Sequence, residues 1–89
     1  MLRVQGDSMT GAGIQDGDLL IVDRSITATH GSVVVAAVDG QFTVKTLEKV
    51  RGRLRLMPSN PDFKPIEFKD GQELEVWGVV TSVIHQFKP

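Results

Sequence analysis

Apolar positions along this chain fall in short clusters, and nowhere do they recur at helical spacing for three turns. The pattern predicts strands. Leu19 to Asp23 reads as a short buried strand introduced by the turn signal Asp16-Gly17. Ser32 to Val38 and Gln41 to Leu47 are β-branched runs separated by Asp39-Gly40. Both turn residues tolerate positive φ, so the pair predicts a type I′ hairpin. Arg53 to Met57 alternates basic and apolar residues, as a strand with one wet face does. The valine-rich run Leu74 to Phe87, around Trp77, predicts a long strand bent at Gly78.

Between these runs, Pro58 to Pro65 carries three prolines and reads as an extended or turning loop pinned to the core by Phe63. Helix is confined to one turn just after Ser8, kept short by Gly11 and Gly13. The expected fold class is therefore all-β, built from short strands and hairpins. At 89 residues, with no repeat, low-complexity tract or linker, residues 1–89 should form a single domain. The distinctive segment beginning at Gly6 follows Met1 so closely that an upstream segment is expected to have been removed.

Charge narrows the function. Ten basic residues against eleven acidic ones leave a net charge of -1, which offers no footprint for gripping nucleic-acid phosphates. Val33 to Val38 is the longest apolar run and is far too short to cross a membrane as a helix, so a cytoplasmic protein without membrane contact is expected. The absence of cysteine excludes disulfides, thiolate catalysis and cysteine-based zinc sites. Any nucleophile must be an oxygen or an amine.

Ser8, in Gly6-Asp7-Ser8-Met9, lies between a glycine-containing turn and the short helical turn. There a hydroxyl can be presented beside backbone N–H groups that point into the same space. A serine in this setting is more often a turn or N-cap residue. Lys45 lies in Phe42-Thr43-Val44-Lys45-Thr46-Leu47, and strand alternation puts it on one face with Thr43 and Leu47. On a wet face it is a surface charge. On a covered face desolvation lowers its pKa from the ordinary value near ~10.4, where only about one amine in 2,500 is neutral at pH 7. A neutral lysine can take the proton of a serine hydroxyl as histidine does in a triad.

Other side chains compete less well. His30 and His85 are possible bases, but no spacing ties either to Ser8. Asp16, Asp18 and Asp23 lack the pattern of a calcium loop and are explained by turn formation. Arg51, Arg53 and Arg55 at every second position read as a solvated strand face, and Trp77 reads as core or dimer contact.

Taken together, Gly6-Asp7-Ser8-Met9 and Phe42-Thr43-Val44-Lys45 resemble the motifs of the LexA/UmuD family of self-cleaving SOS-response proteins. Gly17-Asp18-Leu19-Leu20-Ile21-Val22-Asp23, Ala36-Ala37-Val38-Asp39-Gly40, Asn60-Pro61-Asp62-Phe63-Lys64-Pro65-Ile66 and Val76-Trp77-Gly78-Val79-Val80 extend the resemblance over nearly the whole chain, with greatest similarity to the UmuD branch. The resemblance implies a LexA/signal-peptidase-like C-terminal domain carrying a Ser-Lys dyad, with Ser8 as nucleophile, Lys45 as general base, and no cofactor or metal. It implies cleavage of an N-terminal arm at an Ala-Gly or Cys-Gly bond upstream of the serine, stimulated by the RecA filament on single-stranded DNA. Ala12-Gly13 lies downstream of Ser8, inside its own turn, and is not taken as the target. The processed form would be a homodimer serving as accessory subunit of a UmuC-type error-prone DNA polymerase in translesion synthesis. Two other readings follow from the same resemblance: a catalytically spent dimeric binding module, and the C-terminal half of a LexA-like or phage repressor.

Overall fold

A computed structural model describes residues 1–68 and 74–87. Within them seven strands form one antiparallel sheet: β1 (Leu2–Arg3), β2 (Leu19–Asp23), β3 (Val33–Val38), β4 (Gln41–Val50), β5 (Arg53–Met57), β6 (Ile66–Glu67) and β7 (Leu74–Ile84). The fold is all-β, as the alternating pattern predicts. Its helical content among the described residues is a single 3₁₀ turn at Thr10–Ala12, in the stretch after Ser8.

The sheet order is β1-β2-β7-β3-β4-β5-β6, so the C-terminal strand inserts between β2 and β3. Asp39 and Gly40 both take positive φ, 48° and 85°, and join β3 to β4 with Val38 opposite Gln41, as a type I′ turn requires. Arg51 and Gly52, at 52° and 76°, repeat this device between β4 and β5. The Arg51 turn also removes that arginine from the face shared by Arg53 and Arg55. Consequently β4 runs to Val50, three residues beyond the expected Leu47, pairing first with β3 and then with β5.

On β7 the register jumps between Val35 and Ala36 of β3 and again between Ile21 and Val22 of β2. Trp77 and Thr81 are the residues left over at those jumps, and bulges of this kind bend a strand. The expected bend at Gly78 lies directly after the first bulge. A Cβ there would stand 2.5 Å from Val22 Cγ1, so glycine lets the two strands approach. The strand ends at Ile84 and leaves His85 to Phe87 outside the ladder, short of the expected Phe87.

Period-two alternation makes β3 the shared wall of two apolar clusters. Val35 joins Val4, Met9, Ile14 and Leu20, whereas Val34 and Ala36 join Leu47, Leu56 and Val79. The first cluster lies beneath the segment carrying Ser8, because Met9 and Ile14, each 2% exposed, anchor both sides of the 3₁₀ turn. Three strands separate β1 from β4 in the sheet order, yet Ser8, just beyond β1, touches Lys45 of β4. Curling of the twisted sheet brings these distant parts together.

Candidate active site

Lys45 Nζ lies 2.8 Å from Ser8 Oγ, joining residues 37 positions apart. The lysine is opposite Val34 in the strand register and is only 8% exposed. Leu47 on the same face is buried and Thr43 half-buried, so the covered alternative applies. The ammonium has three protons and three acceptors: Ser8 Oγ, Thr43 Oγ1 at 2.5 Å and Val44 O at 3.1 Å. Burial pushes its pKa below the ordinary lysine value. When the proton leaves, the 2.8 Å contact can reverse polarity, with the Ser8 O–H donating to the amine.

Beside this pair is a cleft of about 210 Å³. Its walls are Leu2–Gln5 and Phe42–Lys45, with Ser8, Met9 and Val35 completing the lining. The Ser8 side chain thus lies at the edge of this cleft.

Several contacts hold the Ser8 segment in place. Gly6 N–H donates to Asp16 Oδ1 at 2.8 Å, and Val4 N–H donates to Asp18 O at 2.8 Å. Across from these, the proline-rich loop approaches the segment from residues 59 and 60. Ser59 N–H donates to Ser8 O at 2.8 Å, while Asn60 Nδ2 donates to Asp7 O at 2.9 Å. Gly11 N–H closes the set by donating to Ser59 O at 2.6 Å. A Cβ on Gly11 would lie 2.5 Å from that same oxygen, so only glycine allows the contact. Phe63, expected to pin this loop, is instead 43% exposed. Backbone hydrogen bonds and the Asn60 amide secure it, which the apolar pattern does not register.

The remaining candidates have other structural roles. His30 Nδ1 accepts the Lys49 N–H at 3.0 Å. Asp18 and Asp23 accept N–H groups from residues three and two positions away, in agreement with the turn reading, whereas Asp16 reaches back to the Gly6 N–H. Asp18 does more than that, because its buried carboxylate also meets His85 Nδ1 at 2.6 Å. The Gln15 N–H first, then His85, holds its pKa below the usual carboxylate range. Arg55 pairs with Glu48 at 2.6 Å. Trp77 is half-buried, with the Arg24 guanidinium 4.6 Å from its ring centroid and Phe42 edge-on at 6.4 Å.

No helix of the described residues is long and apolar enough to cross a membrane, and no group of three or more potential metal-binding side chains occurs among them.

Comparison with known proteins agrees with the motifs. The chain is 54% identical over 82 residues to protein MucA of Salmonella typhimurium and of Escherichia coli, covering 90% of this chain and 55% of each relative. It is 46% identical over 84 residues to the LexA repressor of Xylella fastidiosa (strain M12), covering 94% of this chain and 40% of that protein. For the LexA repressor of Syntrophotalea carbinolica the identity is 44% over 88 residues, covering 99% of this chain and 44% of the repressor. The chain thus spans about half the length of the curated relatives it matches. The family model described as Peptidase S24-like matches residues 1–81. With that match over most of its length, the chain belongs to the Peptidase S24-like family, the LexA/UmuD group of self-cleaving SOS-response proteins.

Proposed function

We propose that this chain is the peptidase domain of a UmuD-like protein, using Ser8 as nucleophile and Lys45 as general base to cut an N-terminal arm. The observation carrying this reading is the 2.8 Å contact between Ser8 Oγ and a buried lysine whose proton burial loosens. Neutral Lys45 accepts the hydroxyl proton as Oγ adds to the scissile carbonyl carbon. Lys45 then passes that proton to the departing amine nitrogen as the peptide C–N bond breaks. Water, deprotonated by the same amine, hydrolyses the resulting ester and restores Ser8. No acidic third member is required, because desolvation supplies the shift that a carboxylate-oriented histidine otherwise provides.

The relatives include both MucA, at 54% identity, and a LexA repressor, at 46%, and the UmuD-like branch is the one we propose. In this reading the protein is cytoplasmic and residues 1–89 act as one domain. The processed form is a homodimer that serves a UmuC-type translesion polymerase, and the RecA filament on single-stranded DNA stimulates cutting. Joining an arm with an Ala-Gly bond ahead of Met1 should yield RecA-stimulated cleavage, abolished by Ser8→Ala and by Lys45→Ala. Cleavage at the wild-type rate in either variant would overturn the dyad. Retention of the polymerase by the Ser8→Ala protein in a pull-down would separate binding from cutting.

A further inference from the structure

The loop at residues 59 and 60 grips the two carbonyl groups that flank the Ser8 α-carbon. Asn60 Nδ2 holds Asp7 O at 2.9 Å and Ser59 N–H holds Ser8 O at 2.8 Å. Because a trans peptide is planar, fixing a carbonyl fixes the following N–H on the opposite side of the bond. Pinning Asp7 O thus aims the Ser8 N–H, and pinning Ser8 O aims the Met9 N–H, both away from the loop. We propose that Ser59 and Asn60 form a clamp that orients these two N–H groups for the oxyanion of acyl transfer, with Asn60 as its positioning residue. This rests on the Ser8 nucleophile reading above.

Three details favour a dedicated clamp over incidental loop packing. Asn60 lies 53 positions from Asp7, so local turn geometry cannot supply the contact. Its two amide ends are divided between tasks: Oδ1 accepts the Asp62 N–H at 2.9 Å and shapes the loop, while Nδ2 faces the nucleophile segment. Thr10 Oγ1 gives Nδ2 a second, longer acceptor at 3.4 Å. Finally, the Gly11 N–H at 2.6 Å ties Ser59 O back to the segment, so Ser59 is held through both its N–H and its carbonyl. Donors fixed before reaction stabilise developing charge without reorganising, which is why orientation counts as much as presence.

Asn60→Asp separates these roles, since it keeps an oxygen for the Asp62 N–H and removes the donor to Asp7 O. The probe is an alkyl fluorophosphonate: Ser8 Oγ bonds to phosphorus, fluoride leaves, Lys45 takes the hydroxyl proton, and the phosphoryl oxygen draws on the oriented N–H groups. Wild type, Asn60→Asp and Ser8→Ala are compared for the maximal inactivation rate and the half-saturating probe concentration across pH. Asn60→Asp should lower the maximal rate about 10- to 100-fold, leaving half-saturation unchanged. A wild-type maximal rate or a loss carried wholly by half-saturation would each overturn the clamp. Labelling of Ser8→Ala at the wild-type rate would instead sink the nucleophile reading beneath it. Independently of any variant, the Ser59 amide in wild type should exchange with solvent as slowly as strand amides. Exchange at the rate of an open loop also overturns the clamp.

Discussion

Lys45 donates a 2.5 Å hydrogen bond to Thr43 Oγ1, from two positions further along the same strand. This bond stabilises the charged amine, so it opposes the desolvation that loosens the lysine proton. Replacing Thr43 by valine keeps the shape and removes the acceptor. Thr43→Val should therefore move the pH midpoint of Ser8 reactivity further down, toward acid, as read from labelling or cleavage rates across pH. An upward displacement would mean that the hydroxyl does not act on the ammonium.

Removing the proposed base has a larger effect. Lys45→Ala should slow Ser8 reaction by about 10²- to 10⁴-fold, the usual worth of a positioned general base. Wild-type activity should rise with pH through a midpoint below that of an ordinary lysine, because the reactive form is the neutral amine. The variant should lack that limb. A pH–rate profile compares the two directly.

The same burial gives Lys45 an opposite influence on stability. The unfolded chain binds the lysine proton more tightly than the folded one, so between the lowered folded value and about 10.4 unfolding takes up a proton. Stability gained from this group therefore rises with pH across that window. Lys45→Met, which removes the cost of burying the charge, should unfold at a higher temperature than wild type at pH 7. Its advantage should shrink as pH approaches 10. Melting curves at several pH values test this, and a variant less stable than wild type at neutral pH would contradict it.

Much of this arrangement is visible in the residue pattern, because it depends on local rules. Asp39-Gly40 reveals its hairpin through the φ angles its residues tolerate, and valine-rich alternation marks β3 and β7. The turn at Arg51-Gly52 escapes such reading, since arginine carries no preference for the positive φ it adopts. The Ser8 and Lys45 motifs are legible as candidates, whereas their 2.8 Å approach depends on how the sheet curls. Asn60 is less visible still. Its contact with Asp7 O joins a loop amide to a distant backbone carbonyl, and neither partner has an apolar period to announce it.

Gly11 should tolerate no side chain. The Cβ of alanine would stand 2.5 Å from Ser59 O, a backbone atom already held by hydrogen bonding, so the loop and the Ser8 segment must separate. Gly11→Ala should cost about 1–3 kcal/mol of stability, as overpacking does, and should also slow Ser8 labelling. Urea unfolding together with the labelling rate checks both expectations. Wild-type behaviour in both assays would show that the contact yields easily.

Leu20 is fully buried between Met9, Ile14 and Val35, under the segment that carries Ser8. Truncation to alanine removes buried apolar volume and leaves a cavity that the paired strands β2 and β7 resist closing. Leu20→Ala should destabilise the fold by about 2–5 kcal/mol, a large share of the stability of so small a domain. Equilibrium denaturation measures the loss. A cost below about 1 kcal/mol would imply that the cluster collapses around the gap.

Asp18 links the stretch after the 3₁₀ turn to the residue that follows β7. Its Oδ2 accepts the Gln15 N–H at 2.8 Å, and its Oδ1 meets His85 Nδ1 at 2.6 Å. Since these contacts favour the carboxylate, the folded pKa lies below the unfolded one. The resulting stability is fully present above the unfolded value near ~3.9 and is lost as pH falls through the lower folded value. Asp18→Asn keeps an oxygen for Gln15 but has no such proton to bind. Its unfolding midpoint should be lower than wild type at neutral pH, and the gap should narrow as acid is added below about pH 5. His85→Ala should reproduce only part of this behaviour, because the Gln15 N–H is the larger cause of the shift. Urea midpoints from pH 7 to pH 3 distinguish the variants, and a gap that widens in acid would show that the carboxylate is not stabilised by the fold.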